Sequence, residues 1–482
     1  MKIKKDELIA ALSQFNPWWR GESIPDLPEW KRAVFRELLN WVIYPPASRA
    51  VMLSGARQVG KTTLLLQTID YLLKSKIPPA NILYATFDHP LLKLAGIDTV
   101  LDAWRERVPK AEGPEFLFLD EVQFVRDHGT WIKHQVDFSK NRRIVFTGSA
   151  IPFIKSGSES GVGRWHTIRL STLSFYEYLQ IKKIEISHIA PLRSLRELFD
   201  WPPHEFLQTA EIFKPYVGQF HDYLLRGGFP QTAQVESITQ SQRLIREDII
   251  DKVLKRDMTA IFGVRRILEL EHLFLYLCMH GGGLLEMKTL CQNLSLPKPT
   301  VQHFIDLLEA THLIYRLLPY GYGKEILRAS NKIYLADPAI APAVLLKSKA
   351  LLEDPDALGV ASETAVFKHL YASYYPQNVR FSYWRGSKDK EVDLIAEMGG
   401  ELVPFEVKYR SESSSERNLK GLFELCRQKE LDKAYIVTKN LTDFGLLKSH
   451  SGLPETRFMQ IPASLFCYWL GKLELSEYSF TA

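Results

Sequence analysis

The feature that leaves this chain least freedom is a nine-residue run near its start, Gly55-Ala56-Arg57-Gln58-Val59-Gly60-Lys61-Thr62-Thr63. Its spacing is GxxxxGK[ST]. The apolar run Val51–Ser54 precedes it and the helix-patterned stretch Thr62–Leu73 follows. That is the strand–loop–helix context in which this spacing forms a phosphate cradle. The glycines let backbone amides curl around phosphate oxygens without Cβ clashes. The helix start adds the positive end of its dipole. Lys61 is placed to reach the β- and γ-phosphates and Thr62 to offer its hydroxyl to Mg²⁺, so ATP and Mg²⁺ are the expected cofactors.

The second half of such a site is legible further on. Glu115-Phe-Leu-Phe-Leu-Asp120-Glu121 is an apolar strand ending in two carboxylates. Asp120 is expected to hold Mg²⁺ through its water shell, and Glu121 to polarise the attacking water as general base. A general base points to hydrolysis rather than binding alone. Ile144-Val-Phe-Thr147-Gly148-Ser149 is another apolar strand ending in hydroxyls, either of which can face the γ-phosphate or simply close a turn. Arg164 precedes the run His166–Leu170. It can stabilise charge on the transferring phosphoryl group, from its own or a neighbouring subunit, or stay solvated. Runs at Val51–Ser54, Ile82–Phe87, Phe116–Leu119, Ile144–Thr147 and His166–Leu170 alternate with helical stretches. This predicts an α/β fold, a parallel sheet with helices on both faces. Upstream, Trp30, Val34, Leu38 and Trp41 predict a helix from Pro28 to Val42, and the pair Trp18-Trp19 fits a core or the cover of a pocket.

Taken in order, GARQVGKTT, FLFLDEVQ, TGSA and GRWHTIRLSTLSFYEYL resemble the AAA-type P-loop ATPases of bacteria and archaea that carry a C-terminal domain of unknown function. The segment Arg226-Gly-Gly-Phe-Pro230 is similar to one that this family carries after its ATPase core. The resemblance implies an AAA+-like core, Mg²⁺ and a sheet order of 5-1-4-3-2. It also implies Lys61, Thr62, Asp120 and Glu121 as the nucleotide site and Arg164 as the arginine finger. Thr172 stands where the family is expected to have proline, a departure that touches packing rather than chemistry.

Beyond Ser171 the chain turns mostly helical. Arg265–His280, Leu284–Leu294 and a helix through Thr300 to Glu309 precede two strand-like runs, Leu313–Pro319 and Lys332–Leu335. Three helices and a two-stranded wing make a winged helix, with Lys298, Thr300, Gln302 and His303 at the start of its recognition helix. Between Phe262 and Ser330 there are seven Lys/Arg against six Asp/Glu, little charge for a phosphate-binding surface. An ATPase lid or protein-docking module therefore stays open beside DNA contact. In the last part a helix from Ala361 precedes strands at Val379–Trp384, Glu391–Ala396 and Leu402–Val407, a helix at Glu416–Arg427 and a strand at Ala434–Val437. This αβββαβ order resembles restriction-endonuclease-like folds, and Asp393 with Glu406-Val-Lys408 looks like their metal signature. Residues two apart share a strand face, so Glu406 and Lys408 point together, with Asp393 on the adjacent strand and Glu363 as a further ligand from the helix.

The expected organisation is an N-terminal helical segment (1–45), an AAA-type core (46–180), a helical lid or linker (181–262), a winged-helix-like domain (263–346) and a restriction-endonuclease-like domain (355–482). With 46% hydrophobic and 24% charged residues the chain is an ordinary globular one, not a disordered one. No apolar run of membrane-spanning length and no signal peptide is evident. The four widely spaced cysteines suit a reducing compartment, so a cytoplasmic protein without membrane contact is expected. A net charge of +5 permits DNA as a partner without requiring it. The expected function is Mg²⁺-dependent ATP hydrolysis by an AAA-type ATPase that acts on or is regulated by DNA, with metal-dependent cleavage by the nuclease-like C-terminal domain left open. The alternative is an ATP-driven switch whose C-terminal domain only binds DNA or protein, with self-association through Arg164 possible in either case.

Overall fold

Apolar residues at successive positions of a strand bury both of its faces, which is what a parallel sheet flanked by helices requires. A computed structural model describes residues 4–148, 163–186, 189–321, 329–377, 379–386, 390–409, 419–447 and 455–477. They fall into two compact units. One runs up to Leu170 and includes Ala310–His312; the other comprises Ser171–Glu309 and Leu313–Glu477.

The first unit contains helices α1 (Lys5–Phe15) and α2 (Phe35–Ile43), strand β1 (Ala50–Gly55), α3 (Lys61–Lys74), β2 (Ile82–Thr86), α4 (Pro90–Arg107), β3 (Glu115–Asp120), α5 (His128–Phe138), β4 (Arg142–Gly148) and β5 (Trp165–Leu170). The five strands are all parallel and ordered β2-β3-β4-β1-β5, the expected 5-1-4-3-2 read from the other edge. On one face Met52, Leu83, Ala85, Leu117, Leu119 and Phe146 pack with Leu8, Leu12, Leu101 and Trp104 from α1 and α4. Val51, Leu53, Ile82, Phe116, Phe118 and Val145 are buried as well, as the alternation of a doubly covered sheet demands.

The N-terminal segment guards both sheet edges. Asn16 treats the free edge of β2 as a neighbouring strand would: its amide donates to Tyr84 O and its carbonyl accepts from Tyr84 N, both at 2.8 Å. The indole N–H groups of Trp18 and Trp19 both donate to Ile82 O, at 3.2 and 3.0 Å, and Trp18 is core. At β5, Glu37 pairs with His166, whose ring stacks on Trp41 at 4.1 Å. Blocked edges cannot recruit foreign strands.

The helix expected from Pro28 to Val42 begins only at Phe35. The reason is tertiary: the Gln67 amide draws on Pro28 O and Trp30 O, both at 2.8 Å, and Arg32 reaches Val59 O at 3.0 Å. Residues 28–34 are thereby held as a strap against α3 and the phosphate loop.

In the second unit the three expected helices appear at Ile267–Met279, Met287–Leu294 and Lys298–Ala310, followed by the strand pair β6 (Ile314–Pro319) and β7 (Lys332–Leu335). β6 and β7 are antiparallel, and β6 continues in parallel into β8 (Arg380–Arg385). Next come β9 (Glu391–Met398), β10 (Glu401–Lys408), β11 (Lys433–Thr438), β12 (Gly445–Leu446) and β13 (Arg457–Pro462). One mixed sheet results, ordered β12-β13-β11-β10-β9-β8-β6-β7. Within it β8-β9-β10 is an antiparallel meander and β11 lies parallel to β10. The helix Pro355–Tyr374 before the meander starts where Pro355 suits a first turn and the Asp354 carboxylate accepts from Ala357 N at 3.0 Å.

The Arg226–Pro230 segment is held by a buried polar knot. Asp337, fully buried, accepts from Thr172 Oγ1 (2.6 Å), Gly228 N (2.9 Å) and Ala339 N (3.0 Å), with the Lys368 ammonium at 4.0 Å. Gly227 adopts φ 74°, and a Cβ there would lie 2.3 Å from Asp337 Oδ1. The hydroxyl of Thr172, where proline was expected, is thus one of the knot's donors. Among the described residues no helix is long and apolar enough to cross a membrane.

Candidate functional site

The carboxyl ends of β1, β3 and β4 lie side by side, and each delivers part of one site. In an open parallel sheet this edge is where ligands bind. The loop after β1 wraps Lys61: its ammonium, only 5% exposed, donates to Gly55 O and Ala56 O at 2.8 Å each. The loop needs left-handed backbone at Gln58 (φ 59°) and Gly60 (φ 96°) to turn into α3. Val59 is buried beneath it, while Arg57, Gln58 and Thr63 are half-buried along it. Gly55 is pinned from the other side, since a Cβ there would stand 2.4 Å from Leu170 O of β5.

Asp120, at the end of β3 and 2% exposed, is the hub. Its Oδ2 accepts from Thr62 Oγ1 at 2.8 Å and from Tyr84 Oη at 2.9 Å, and its Oδ1 accepts a short bond from Thr147 Oγ1. The same Thr147 hydroxyl accepts from Glu121 N at 2.9 Å. Thr147 therefore ties the two acidic residues to β4. Glu121 takes a left-handed turn (φ 55°), and its carboxylate accepts from the Gln123 amide. Burial pushes the Glu121 carboxyl up, partly offset by Lys61; Asp120 nearby adds to the rise. A raised carboxyl pKa brings a general base closer to working pH. The hydroxyl of Thr62 and the carboxylate of Asp120 are hard oxygen donors already touching, the set that Mg²⁺ prefers. Lys61 and the loop amides stand where a triphosphate would lie, so the residues fit Mg²⁺·ATP.

Of the other expected residues, Arg164 pairs with Asp137 of α5 at 3.2 Å and is two-fifths exposed (40%). Ser149 lies outside the described residues. Two participants have no local sequence signature. Tyr84 is a core residue of β2 whose register beside β3 sets it against Asp120. His312 places Nε2 2.8 Å from Ser54 Oγ, in a left-handed turn (φ 57°). Burial, then Arg169 and Lys61, push the His312 imidazole down to about 3, so it is neutral at physiological pH.

The second unit gathers the other expected set. Asp393 and Glu406 face each other across β9 and β10, with Val407 N donating to Asp393 Oδ2 at 2.9 Å and Asp393 N to Glu406 Oε2 at 3.3 Å. Lys408 pairs with Glu406 at 2.5 Å. Glu363 accepts from Tyr334 Oη at 2.6 Å. The unexpected member is Lys332 of β7, 2% exposed, whose ammonium lies 2.5 Å from Glu391, 3.2 Å from Asp393 and 3.9 Å from Glu363. Lys332 and Tyr334 are two apart on one strand and face the cluster together, the period-2 signal that would have exposed them. Burial, then Asp393, raises Glu363 to about 7 and Glu406 to about 8. Burial also works to raise Asp393, but Lys332 and Lys408 hold it below the usual carboxylate range. Asp393, Glu406 and Glu363 are the expected metal trio; among the described residues no group of three or more His, Cys, Asp or Glu is placed to hold a metal ion. The Lys332 ammonium stands among these carboxylates instead.

Three parts of the chain match known protein families. Residues 47–179 match the AAA domain family, residues 217–351 a domain of unknown function (DUF8612) and residues 358–458 another domain of unknown function (DUF4143). The chain is 26% identical over 372 residues to an uncharacterized protein of Haemophilus influenzae, spanning 74% of this chain and 82% of that protein. It is 25% identical over 362 residues to one of Methanocaldococcus jannaschii, spanning 73% of each. Among solved structures, AMPPCP-bound DnaA from Aquifex aeolicus is similar at 14% identity and a TM-score of 0.24, over 60% of this chain and 90% of that one. Cdc6p from Pyrobaculum aerophilum is similar at 14% identity and a TM-score of 0.26, over 68% and 97%. Overlaps this loose carry no argument. The AAA-domain match, the five-stranded parallel sheet and the GxxxxGKT loop together support an AAA-type P-loop ATPase domain that binds ATP.

Proposed function

We propose that this protein is a Mg²⁺-dependent, ATP-hydrolysing switch of AAA type whose second unit acts on DNA. One observation carries the proposal: Thr62, Asp120, Thr147 and Glu121 are locked to one another at adjacent strand ends beside a buried Lys61. Gly55 to Thr63 cradle the phosphates, and Lys61 releases its two loop carbonyls to neutralise the β- and γ-phosphates. Thr62 would hold Mg²⁺ by its hydroxyl and Asp120 through the ion's water shell, and the ion when bound would draw charge from the terminal phosphoryl oxygens. Glu121 takes a proton from the attacking water, in the orientation that Gln123 and the Thr147 hydroxyl fix. Thr147 lies near the end of β4, from which its hydroxyl would serve the γ-phosphate, and Ser149, two residues on in sequence, is proposed to serve it too. Arg164 leaves Asp137 to complete the site, in its own subunit or across a self-associated pair.

The helices and hairpin from Ile267 to Leu335 fit a winged helix. Lys298 and His303 are exposed at the start of the Lys298–Ala310 helix, and Thr300 and Gln302 are half-exposed beside them. The order of the Pro355–Tyr374 helix, β8 to β10, Lys420–Lys429 and β11 fits the restriction-endonuclease-like αβββαβ arrangement, with Asp393, Glu406 and Glu363 at its acidic positions and Lys408 at its lysine position. Together they favour DNA as the partner. Four free cysteines, three of them buried, suit the cytoplasm.

The test is phosphate release by full-length protein, with and without duplex DNA, alongside plasmid incubation. Wild type is expected to release phosphate, faster with DNA. Glu121→Gln should bind a fluorescent ATP analogue yet release little, and Lys61→Ala should lose both. Equal release by wild type and Lys61→Ala would remove the proposal's foundation.

A further inference from the structure

A buried ammonium persists only where anionic oxygens surround it, because removing it from water costs several kcal/mol unless it is paired. Lys332 meets that condition at the one place where the second unit would otherwise seat a metal. Its three N–H donors face Glu391, Asp393 and Glu363 at 2.5, 3.2 and 3.9 Å. The remaining members are taken too: Glu406 by Lys408, and Glu363 again by the phenol of Tyr334. Lys332 has no room to withdraw. Its backbone is paired with Leu317 of β6 and bridged to Leu284, and its side chain is 3% exposed. Gly282, at φ 73°, closes on Glu363 from the opposite side, 3.3 Å from Oε1 at its Cβ position.

Magnesium demands six oxygens in near-octahedral array at about 2.0–2.1 Å. Here Asp393 already accepts from Lys332, Glu391 and Glu406 are paired with Lys332 and Lys408, and Glu363 accepts from Tyr334, so a divalent ion drawn to Asp393 would meet a positive charge 3.2 Å from its Oδ1. We infer that Lys332 is the resident cation of this carboxylate set, standing where a divalent metal would sit, and that the C-terminal strands hold nucleic acid without metal-dependent cleavage of its phosphodiesters. This rests on reading those strands as nuclease-like. It is independent of the ATP site, whose activity is scored separately by phosphate release.

The experiment is an electron-paramagnetic-resonance titration of free Mn²⁺ with full-length protein and no nucleotide. It compares wild type, Asp393→Asn, Lys332→Met and Lys332→Met/Asp393→Asn. Wild type and Asp393→Asn are expected to coincide. Lys332→Met should gain one saturable site, tighter by about tenfold or more than any in wild type, and the added Asp393→Asn should abolish it. Wild-type Mn²⁺ binding that disappears in Asp393→Asn overturns the inference. So does a folded Lys332→Met, judged by circular dichroism, that gains nothing. If Lys332→Met does not fold, the first pair still decides. Plasmid nicking in Mn²⁺ by wild type but not by Asp393→Asn would likewise overturn it.

Discussion

Replacing Tyr84 with phenylalanine isolates one hydrogen bond on which the nucleotide site depends. Tyr84 is 5% exposed, and its hydroxyl donates to Asp120 Oδ2 at 2.9 Å, the oxygen that also accepts from Thr62 at 2.8 Å. Burial, then Asp120, hold the phenol far above its ordinary pKa, so it stays a donor across the working range. Phenylalanine keeps the ring and its edge contact with Phe15, at 6.5 Å between centroids, so packing is conserved and only the donor is lost. A hydrogen bond to a charged group contributes roughly 1.5–3 kcal/mol. Two other donors still satisfy Asp120, so the lower end, about 1.5 kcal/mol, is expected for Tyr84→Phe. Urea unfolding of the nucleotide-free protein, followed by Trp fluorescence, reads this as a lower midpoint at unchanged slope. In an Asp120→Ala background the penalty should vanish, because the hydroxyl has lost its acceptor. A Tyr84→Phe midpoint equal to wild type, or an undiminished penalty in that background, would refute the reasoning. The affinity for Mg²⁺·ATP should also fall while the release rate at saturating Mg²⁺ changes less, since the tyrosine orients the carboxylate without touching substrate.

Three further outcomes follow from the same geometry. Gly55→Ala puts a methyl 2.4 Å from Leu170 O, a backbone atom that cannot step aside, so β1 and β5 must part; a loss of about 2–3 kcal/mol together with nucleotide affinity is expected, by denaturant melt and analogue titration. Asp337→Ala strips three donors of their acceptor and leaves the Lys368 ammonium buried without its carboxylate, which should cost about 3–5 kcal/mol; Thr172→Val, losing one hydroxyl, should cost about 1 kcal/mol in the same melt. Burial, then neighbouring positive charge, push His312 and His369 both down to about 3. A histidine whose folded pKa lies below its unfolded value of about 6.5 contributes stability in full above that value and loses it as pH falls toward about 3. Urea midpoints should therefore fall from pH 7 to pH 5, and His312→Asn and His369→Asn should each flatten that slope.

The phosphate loop, the acidic strand end, the five parallel strands and the meander with its later parallel strand were legible in the chain. Each is written by neighbours in sequence: a loop whose glycines license its own turn, and a strand whose apolar run declares two-sided burial. Local pattern is reliable there because the free energy that fixes the element comes from residues within a few positions of one another. What local pattern could not carry was decided by register and by distant partners. The stretch from Pro28 to Val34 has helical spacing, but Gln67 takes its carbonyls at Pro28 and Trp30, and its Arg32 side chain is drawn to Val59 O of the phosphate loop. Tyr84 reads as one more core aromatic until the pairing of β2 with β3 sets it beside Asp120. Lys332 reads as a charge on a short strand until the sheet closes and encloses it among three carboxylates from one helix and one strand. In all three, the deciding interaction joins residues far apart in the chain, and only folding brings their charges and donors within the few ångströms over which hydrogen bonds and ion pairs act.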